Sequence, residues 1–202
     1  MTVFGQSGHN DMKKIALFGG SFNPPGIHHR KIAEELVKKF DEVFIIPCGP
    51  RKDKDTVQED ARHRTEMVRL AFEGLSVSFD FSDLESQTFT PTISLDKKYA
   101  SDGEVWHVAG SDLLIHGEDG RCLIKDWVGG EEFFQNGHFA VLFREGYSIT
   151  EKNLPPHTMI LGTCKSGSST EIRKRICEGA SVDDVVSINV EAYIRKHDLY
   201  RK

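Results

Sequence analysis

The stretch Lys14–His29, KIALFGGSFNPPGIHH, begins with an apolar run and continues into a loop of glycine, serine and proline. The run Lys14–Phe18 predicts a short strand. From His28 to Phe40, apolar residues recur at helical spacing, which predicts a helix directly after the loop. This order of strand, glycine loop and helix is typical of parallel sheets that bind phosphate groups at the start of a helix.

Further along the chain, apolar runs alternate with segments of helical periodicity. The predicted strands are Val43–Pro47, Leu75–Phe81, Val105–Val108, Phe139–Phe143 and Met159–Leu161. The predicted helices are Ala61–Phe72, Thr92–Tyr99, Thr170–Cys177 and Val182–His197, with a glycine-interrupted helical stretch over Leu113–Phe134. Strands separated by helices predict an α/β fold with a doubly wound parallel sheet and a small C-terminal helical part.

Length and composition predict one folded domain. The chain has 202 residues, of which 38% are hydrophobic and 28% are charged, as is ordinary for a globular protein. Residues 1–12 are predicted to be an N-terminal tail, and residues 13–202 a single domain. No apolar run approaches the roughly 20 residues of a membrane-spanning helix, and the N-terminus lacks a secretory pattern, so we expect a cytoplasmic protein with no membrane partner.

Charge and cysteine spacing argue against two further classes. The formal net charge of -5 is unlike that of a general polyanion binder, so no nucleic-acid partner is expected, although a local basic pocket is allowed. The four cysteines lie far apart without a Cys-x-x-Cys pair or a zinc-type cluster, which predicts reduced thiols and no metal site built by the protein. The sequence leaves homo-oligomer formation open.

The glycine loop contains groups that suit phosphate. Gly19 and Gly20 let the backbone come close to a ligand, Ser21 adds a hydroxyl, and His28 and His29 bring imidazoles to the first turn of the helix. The loop is not a P-loop, because no Gly-Lys-Ser/Thr closes it. Taken alone, the glycine pair fits a plain tight turn equally well, and the histidines fit simple helix capping.

The loop resembles a known signature. Gly19–His29 is similar to the G-G-[ST]-F-[DN]-P-x-H-x-G-H motif of the nicotinate/nicotinamide mononucleotide adenylyltransferases, which implies a Rossmann-like nucleotidyltransferase fold. In this alignment His29 takes the second histidine position, Gly26 takes the first, and His28 takes the glycine position. Either His28 replaces the missing imidazole, or one histidine supports a reaction that runs slowly or not at all.

A second motif near the C-terminus supports the same resemblance. The stretch 166–173 is similar to the family's I-S-S-T-x-I-R motif, with Gly167 in the isoleucine place. Ser168 or Ser169 can cap the helix that Thr170 begins, which leaves backbone N–H groups for a phosphate, and Arg173 follows about one turn later. The alternative is an ordinary capped helix with a surface arginine.

Two segments between these motifs also match in part. Residues 46–52 resemble the family's P-x-x-x-P-H-K segment, in which Lys52 keeps the cation and Arg51 replaces histidine. Thr90 stands in a stretch that contacts the mononucleotide in relatives. Pro91 removes an N–H donor there, so the identity of the acceptor is open.

The remaining matches lie in the second half of the chain. Gly110 and Asp112 follow a predicted strand and resemble the family's G-x-D, in which the acid lies near the nucleotide sugar; a helix cap is the alternative. Trp127 matches a tryptophan that lies against the pyridine ring in relatives, although a core tryptophan fits nearly as well. Arg144 follows the family too, and we expect it on the substrate side.

The resemblance implies transfer of AMP from ATP to nicotinate or nicotinamide mononucleotide, which forms the dinucleotide and pyrophosphate in NAD biosynthesis. The partners are then small molecules: ATP as co-substrate and a mononucleotide, with Mg²⁺ carried by the triphosphate. The expected phosphate-handling residues are Gly19, Gly20, Ser21, Phe22, His28, His29, Lys52, Ser168, Ser169, Thr170 and Arg173. Two alternatives remain: an adenylyl- or cytidylyltransferase with another phosphorylated acceptor, and a catalytically impaired nucleotide-binding protein.

Overall fold

The computed structural model describes residues 12–50, 60–117, 119–147, 149–164 and 167–201. Within these residues the strands are β1 Lys14–Gly20, β2 Glu42–Pro47, β3 Ser78–Phe79, β4 Glu104–Gly110, β5 His138–Arg144 and β6 His157–Cys164. The helices are α1 Ile27–Leu36, α2 Ala61–Ala71, α3 Ser82–Ser86, α4 Thr92–Tyr99, α5 Ser111–Leu114, α6 Gly130–Asn136, α7 Ser169–Cys177 and α8 Ile188–Lys196, and a 3-10 turn covers Glu151–Asn153. None of the helices in the described part is long and apolar enough to span a bilayer.

The strands form one sheet with the order β3-β2-β1-β4-β5-β6, and every neighbouring pair described is parallel. From β1 the chain runs outward to one edge of the sheet, crosses back to β4 and runs outward to the other edge. β1 and β4 therefore lie side by side at the centre, where the direction of winding changes. This confirms the predicted doubly wound parallel sheet.

Both faces of the sheet are covered. On β1, Ala16 and Phe18 belong to one apolar cluster, which includes buried residues of α1, α2 and α8. Ile15 and Leu17 point the other way, into a cluster that contains Tyr99 at the end of α4. Because consecutive strand residues alternate between two buried faces, the strands of the sheet centre are continuous apolar runs in the sequence.

Several segments differ from the sequence-based prediction, among them the predicted helix Val182–His197, which begins only at Ile188 as α8. The predicted strand Leu75–Phe81 shrinks to β3, because the amides of Leu75 and Val77 bond within the turn after α2. The short α3 was not predicted, and the Asp80 carboxylate accepts the Ser82 N–H at its start. Within the described part of Leu113–Phe134, helix is confined to the end of α5 and the beginning of α6, since glycines 117, 120 and 129 adopt positive φ angles of 68°, 66° and 68° between them.

The glycine loop after β1 accepts hydrogen bonds from distant parts of the chain. The buried Arg64 of α2 donates hydrogen bonds to the backbone carbonyls of Ser21 and Cys48, which lie just beyond β1 and β2. From the C-terminus, the buried hydroxyl of Tyr200 donates to the Asn23 side-chain oxygen. Arg64 and Tyr200, which are 43 and 177 residues from their partners in the chain, thus help to define the shape of this loop.

Replacing Tyr200 by phenylalanine tests the hydrogen bond that its hydroxyl donates to Asn23. We expect Y200F to lower the free energy of unfolding by about 1–3 kcal/mol, because the buried Asn23 oxygen loses this donor. The exposed Tyr147 offers a matched control, and Y147F is expected to leave stability within about 0.5 kcal/mol of the original. Urea denaturation measures both, and equal stability of the two variants would contradict the assignment.

Candidate active site

The candidate site lies at the carboxyl edge of the central strands. β1 ends at Gly20, β4 at Gly110 and β5 at Arg144, and α1 and α7 begin beside these ends. In doubly wound sheets, ligands bind in the crevice at this edge, next to the point where the winding direction changes. The structure therefore brings the first glycine loop, the G-x-D segment and Arg144 to one place.

The glycine loop presents backbone rather than side chains to this edge. A Cβ placed on Gly19 would meet nothing within 4 Å, so the surface there is open. On Gly20, a Cβ would stand 3.0 Å from the Phe22 ring, which is fully buried and packs edge-on against Phe18 and Phe72. Phe22, predicted to help hold the triphosphate, can therefore do so only through its backbone. The Ser21 residue is exposed.

His29 has its proton position fixed by the helix start. The Gly26 N–H donates to His29 Nδ1 over 2.9 Å. Because Nδ1 accepts this bond, the neutral ring carries its proton on Nε2. His29 thus keeps one N–H donor, and its ring packs edge-on against Phe22 at a centroid distance of 4.9 Å.

The two adjacent imidazoles lie together and are neutral at pH 7. Their ring centroids are 3.9 Å apart. Burial lowers the pKa of His28 to about 4, with a smaller effect from the positive charge of Arg144. Burial also lowers the pKa of His29 well below its usual value, helped by the charges of His28 and Arg144. A neutral pair beside a cation suits an anionic ligand, whose arrival would favour protonation of the pair.

The second motif meets the first one directly. The Ser169 hydroxyl donates to the Pro24 carbonyl over 2.9 Å, and the Arg173 guanidinium donates to the Asn23 carbonyl over 2.6 Å. A second nitrogen of Arg173 lies 3.2 Å from the Thr170 hydroxyl. Ser168 caps α7 as predicted, since its hydroxyl accepts from the N–H groups of residues 170 and 171.

The segment after β4 forms a small ionic cluster with the end of β5. Asp112 Oδ2 accepts from Arg144 at 3.2 Å, while the buried Oδ1 has no hydrogen-bond partner among the described residues. A Cβ on Gly110 would stand 2.3 Å from that Oδ1 and 3.1 Å from Arg144 Nε, so this glycine makes room for both side chains. Ser111, which sequence reasoning missed, accepts the Arg144 backbone N–H at 2.8 Å.

Of the other predicted residues, Lys52 cannot be placed, Thr90 is bound to another residue and Trp127 packs in an apolar cluster. Lys52 lies outside the described residues. The Thr90 hydroxyl and N–H both donate to the Asp83 carboxylate, so these groups are engaged within the segment that follows β3. Trp127 is half-buried and packs against an apolar cluster on the α6 side of the sheet. The roles predicted for these residues remain predictions.

Arg64 is a second residue at this edge that the sequence analysis did not name. It lies in an R-x-x-M motif at the start of α2, and its side chain donates to the backbone carbonyls of Ser21 and Cys48 at the carboxyl edge of the sheet. An arginine four positions into an amphipathic helix, three before a buried methionine, was the available signal. Among the described residues, no group of three or more His, Cys, Asp or Glu could hold a metal ion.

A glycine loop, two helix N-termini and a pair of neutral imidazoles at the winding switch define a nucleotide-binding α/β protein of nucleotidyltransferase type. Residues 17–175 match the family model described as cytidylyltransferase-like. A relative from Neisseria gonorrhoeae, named "Probable nicotinate-nucleotide adenylyltransferase", is 30% identical over 95% of this chain and 100% of its own. A relative of the same name from Caldicellulosiruptor bescii is 32% identical over 94% and 100%. The chain belongs to the cytidylyltransferase-like family and, within it, to the nicotinate-nucleotide adenylyltransferases.

Solved structures share the fold. A Plasmodium falciparum nicotinic acid mononucleotide adenylyltransferase complexed with NaAD superposes with a TM-score of 0.75 at 23% identity, covering 93% of this chain and 97% of that one. The same enzyme complexed with APC gives a TM-score of 0.70 over the same shares of the two chains. The predicted Rossmann-like nucleotidyltransferase fold is thereby confirmed.

Two glycines at the site provide a matched pair of substitutions. We expect G110A to lower the free energy of unfolding by about 1–3 kcal/mol, because its Cβ displaces Asp112 and Arg144. G19A should change stability by less than about 0.5 kcal/mol, since its Cβ meets open space. Thermal unfolding of both variants tests this, and equal losses would show that Asp112 and Arg144 are not packed against Gly110.

The lowered histidine pKa values predict a pH dependence of stability. Between pH 6.5 and about 4, the unfolded chain binds protons that folded His28 and His29 do not, so the free energy of unfolding falls as the pH drops. In H28Q this fall should be shallower by up to about 1.4 kcal/mol per pH unit, the contribution of one proton. Denaturant titrations at several pH values measure the slopes, and identical slopes would mean that His28 titrates normally.

Proposed function

We propose that this chain transfers AMP from ATP to nicotinate mononucleotide, which yields the dinucleotide and pyrophosphate. The observation that carries the proposal is the contact between the two motifs, in which Ser169 and Arg173 bind the backbone of the glycine loop beside two neutral imidazoles. The names of its relatives supply the acceptor. Family membership thus supports the substrate class, and the geometry supports the proposal that the triphosphate binds beside these residues.

The reaction is an in-line displacement at the α-phosphorus of ATP. An oxygen of the acceptor's phosphate forms the new P–O bond, and the bond from the α-phosphorus to the bridging oxygen breaks, with its electron pair leaving on pyrophosphate. No covalent intermediate with the protein is needed. The protein's task is therefore to align the two substrates and to stabilise negative charge on the phosphate oxygens.

The described residues divide this task between two sides. The open backbone at Gly19, the Nε2–H of His29 and the start of α7 face the triphosphate, and Mg²⁺ enters on its oxygens as part of the substrate. The Oδ1 of Asp112, which has no hydrogen-bond partner in the described part of the chain, accepts a hydroxyl of the nucleotide sugar. Arg144 beside it adds a positive charge on the acceptor side.

The free thiols fit the compartment in which we place the enzyme. Cys122 and Cys177 are free thiols, in keeping with the reduced cysteines expected of a cytoplasmic protein. Positive charge at the site comes from Arg144 and Arg173, although the chain as a whole is acidic. The substrates proposed here are accordingly small anions rather than nucleic acids.

Incubation with ATP, Mg²⁺ and either pyridine mononucleotide tests the proposal. We expect a dinucleotide and an equal amount of pyrophosphate, both abolished by chelation of Mg²⁺. R173A should lower kcat/KM by about 100-fold, because it removes a charge-stabilising donor and loosens the glycine loop. R175A, on the same helix but paired with Glu171 and Asp184, is the control and should remain active.

Other outcomes separate the alternatives. Pyrophosphate release with a different phosphorylated acceptor, and none with either pyridine mononucleotide, would favour a transferase of other specificity. That alternative draws on Thr90, whose hydroxyl is engaged by Asp83. Tight ATP binding without product from any acceptor would instead identify a nucleotide-binding protein that has lost catalysis, and would overturn the proposal.

A further inference from the structure

Two residues of the first motif have exchanged places in this chain. Where the signature has histidine and then glycine, the chain has Gly26 and then His28. The exchange leaves the amino-acid composition of the motif unchanged but moves one imidazole by two positions. Whether the His28 ring can occupy the location of a histidine at position 26 depends on the space around Gly26.

The His28 ring occupies the space that a side chain at position 26 would fill. A Cβ on Gly26 would stand 2.7 Å from both Cε1 and Nδ1 of His28, and 2.9 Å from the Val185 carbonyl oxygen. Non-bonded carbon atoms do not approach so closely without displacement, since their optimal separation is about 3.5–4.0 Å. The imidazole of His28 therefore lies over the backbone of residue 26.

On its other side, the His28 ring lies against a second glycine, Gly167. A Cβ on Gly167 would stand 2.2 Å from Nδ1, 2.3 Å from Cγ and 2.8 Å from Cβ of His28. Gly167 directly precedes Ser168, the N-cap of α7, and Gly26 is the N-cap of α1. The ring thus lies in a slot between two helix N-termini, with the His29 ring 3.9 Å away.

We propose that Gly26 and Gly167 are positioning residues that together hold the His28 imidazole beside His29, so that the two rings form one phosphate-facing donor pair. The exchange within the first motif is then compensated rather than damaging. This inference rests on the proposed function for the identity of the anion, but the slot itself does not. No described residue forms a hydrogen bond with the His28 ring, which leaves a ring N–H for a ligand.

The electrostatics of the slot agree with a neutral donor. Burial lowers the pKa of His28, with a smaller effect from the charge of Arg144, so the ring in the slot is uncharged at neutral pH. A neutral imidazole donates through one nitrogen, and the surrounding positive potential attracts a phosphate group. His28→Gln, which keeps a neutral N–H donor, should therefore retain more kcat/KM for ATP than His28→Leu.

Restoring the signature histidine at position 26 is expected to lower activity rather than raise it. Gly26→His restores the signature histidine, yet it should reduce activity by about 100-fold, because the new side chain and His28 compete for one space. In the double variant Gly26→His/His28→Gly, two of the three close contacts disappear and only the Val185 carbonyl remains. The double variant should therefore be more active than Gly26→His alone.

The decisive experiment is a double-mutant cycle between positions 167 and 28. Gly167→Ala should lower kcat/KM for ATP by about 100-fold and weaken binding of a non-hydrolysable ATP analogue. His28→Gly should also lower both. Because the three atoms nearest to an alanine Cβ at position 167 all belong to the His28 side chain, Gly167→Ala/His28→Gly should be no worse than His28→Gly alone. Melting temperatures identify any variant that fails to fold.

The outcomes distinguish failure of this inference from failure of the proposed function. If the losses of kcat/KM multiply in the double variant, or if His28→Gly is fully active, Gly167 does not act by positioning His28. Either result would contradict the inference even when the wild-type protein makes the dinucleotide. If the wild-type protein makes no dinucleotide, the same cycle is measured through binding of the ATP analogue. Non-additive losses of binding would then support the slot while the proposed function fails.

Discussion

Two hydrogen bonds between the start of α7 and the glycine loop hold the candidate site together. Ser169 and Arg173 donate to the carbonyls of Pro24 and Asn23, and these partners are 145 and 150 residues apart in the chain. The parallel sheet makes the contact feasible, because all its strands end at the same edge. Arg64 and Tyr200 fasten the same loop from two other directions, so its backbone is fixed before any ligand arrives.

The electrostatics of the site follow from this arrangement. Bringing the N-termini of α1 and α7 together places two positive dipole ends near Arg144 and the histidine pair. Burial under the loop keeps both imidazoles uncharged, so the site offers donors without an excess of fixed cations. A locally positive pocket in an acidic chain selects small anions over long polyanions.

The sequence predicted the parallel sheet well, because its strands depend on local patterns. Apolar runs such as Val43–Pro47 are short and bounded by turn residues, and the structure has a strand there. For Leu113–Phe134 the sequence predicted the interruption by glycines but not where the helices end, because the positive φ angles of these glycines cannot be inferred from periodicity. Likewise, the His28 ring lies between Gly26 and Gly167, and Val185 borders the same space. Gly167 and Val185 are distant from His28 in sequence, so no spacing rule could predict where its ring lies.

We propose that the triphosphate binds at the edge formed by β1, β4, α1 and α7. A crystal structure with a non-hydrolysable ATP analogue and Mg²⁺ tests it most directly. The account predicts phosphate oxygens within hydrogen-bonding distance, about 3 Å, of His29 Nε2, of a ring nitrogen of His28 and of the backbone at the start of α7. An analogue bound elsewhere, or with its phosphates directed away from both imidazoles, would contradict the account.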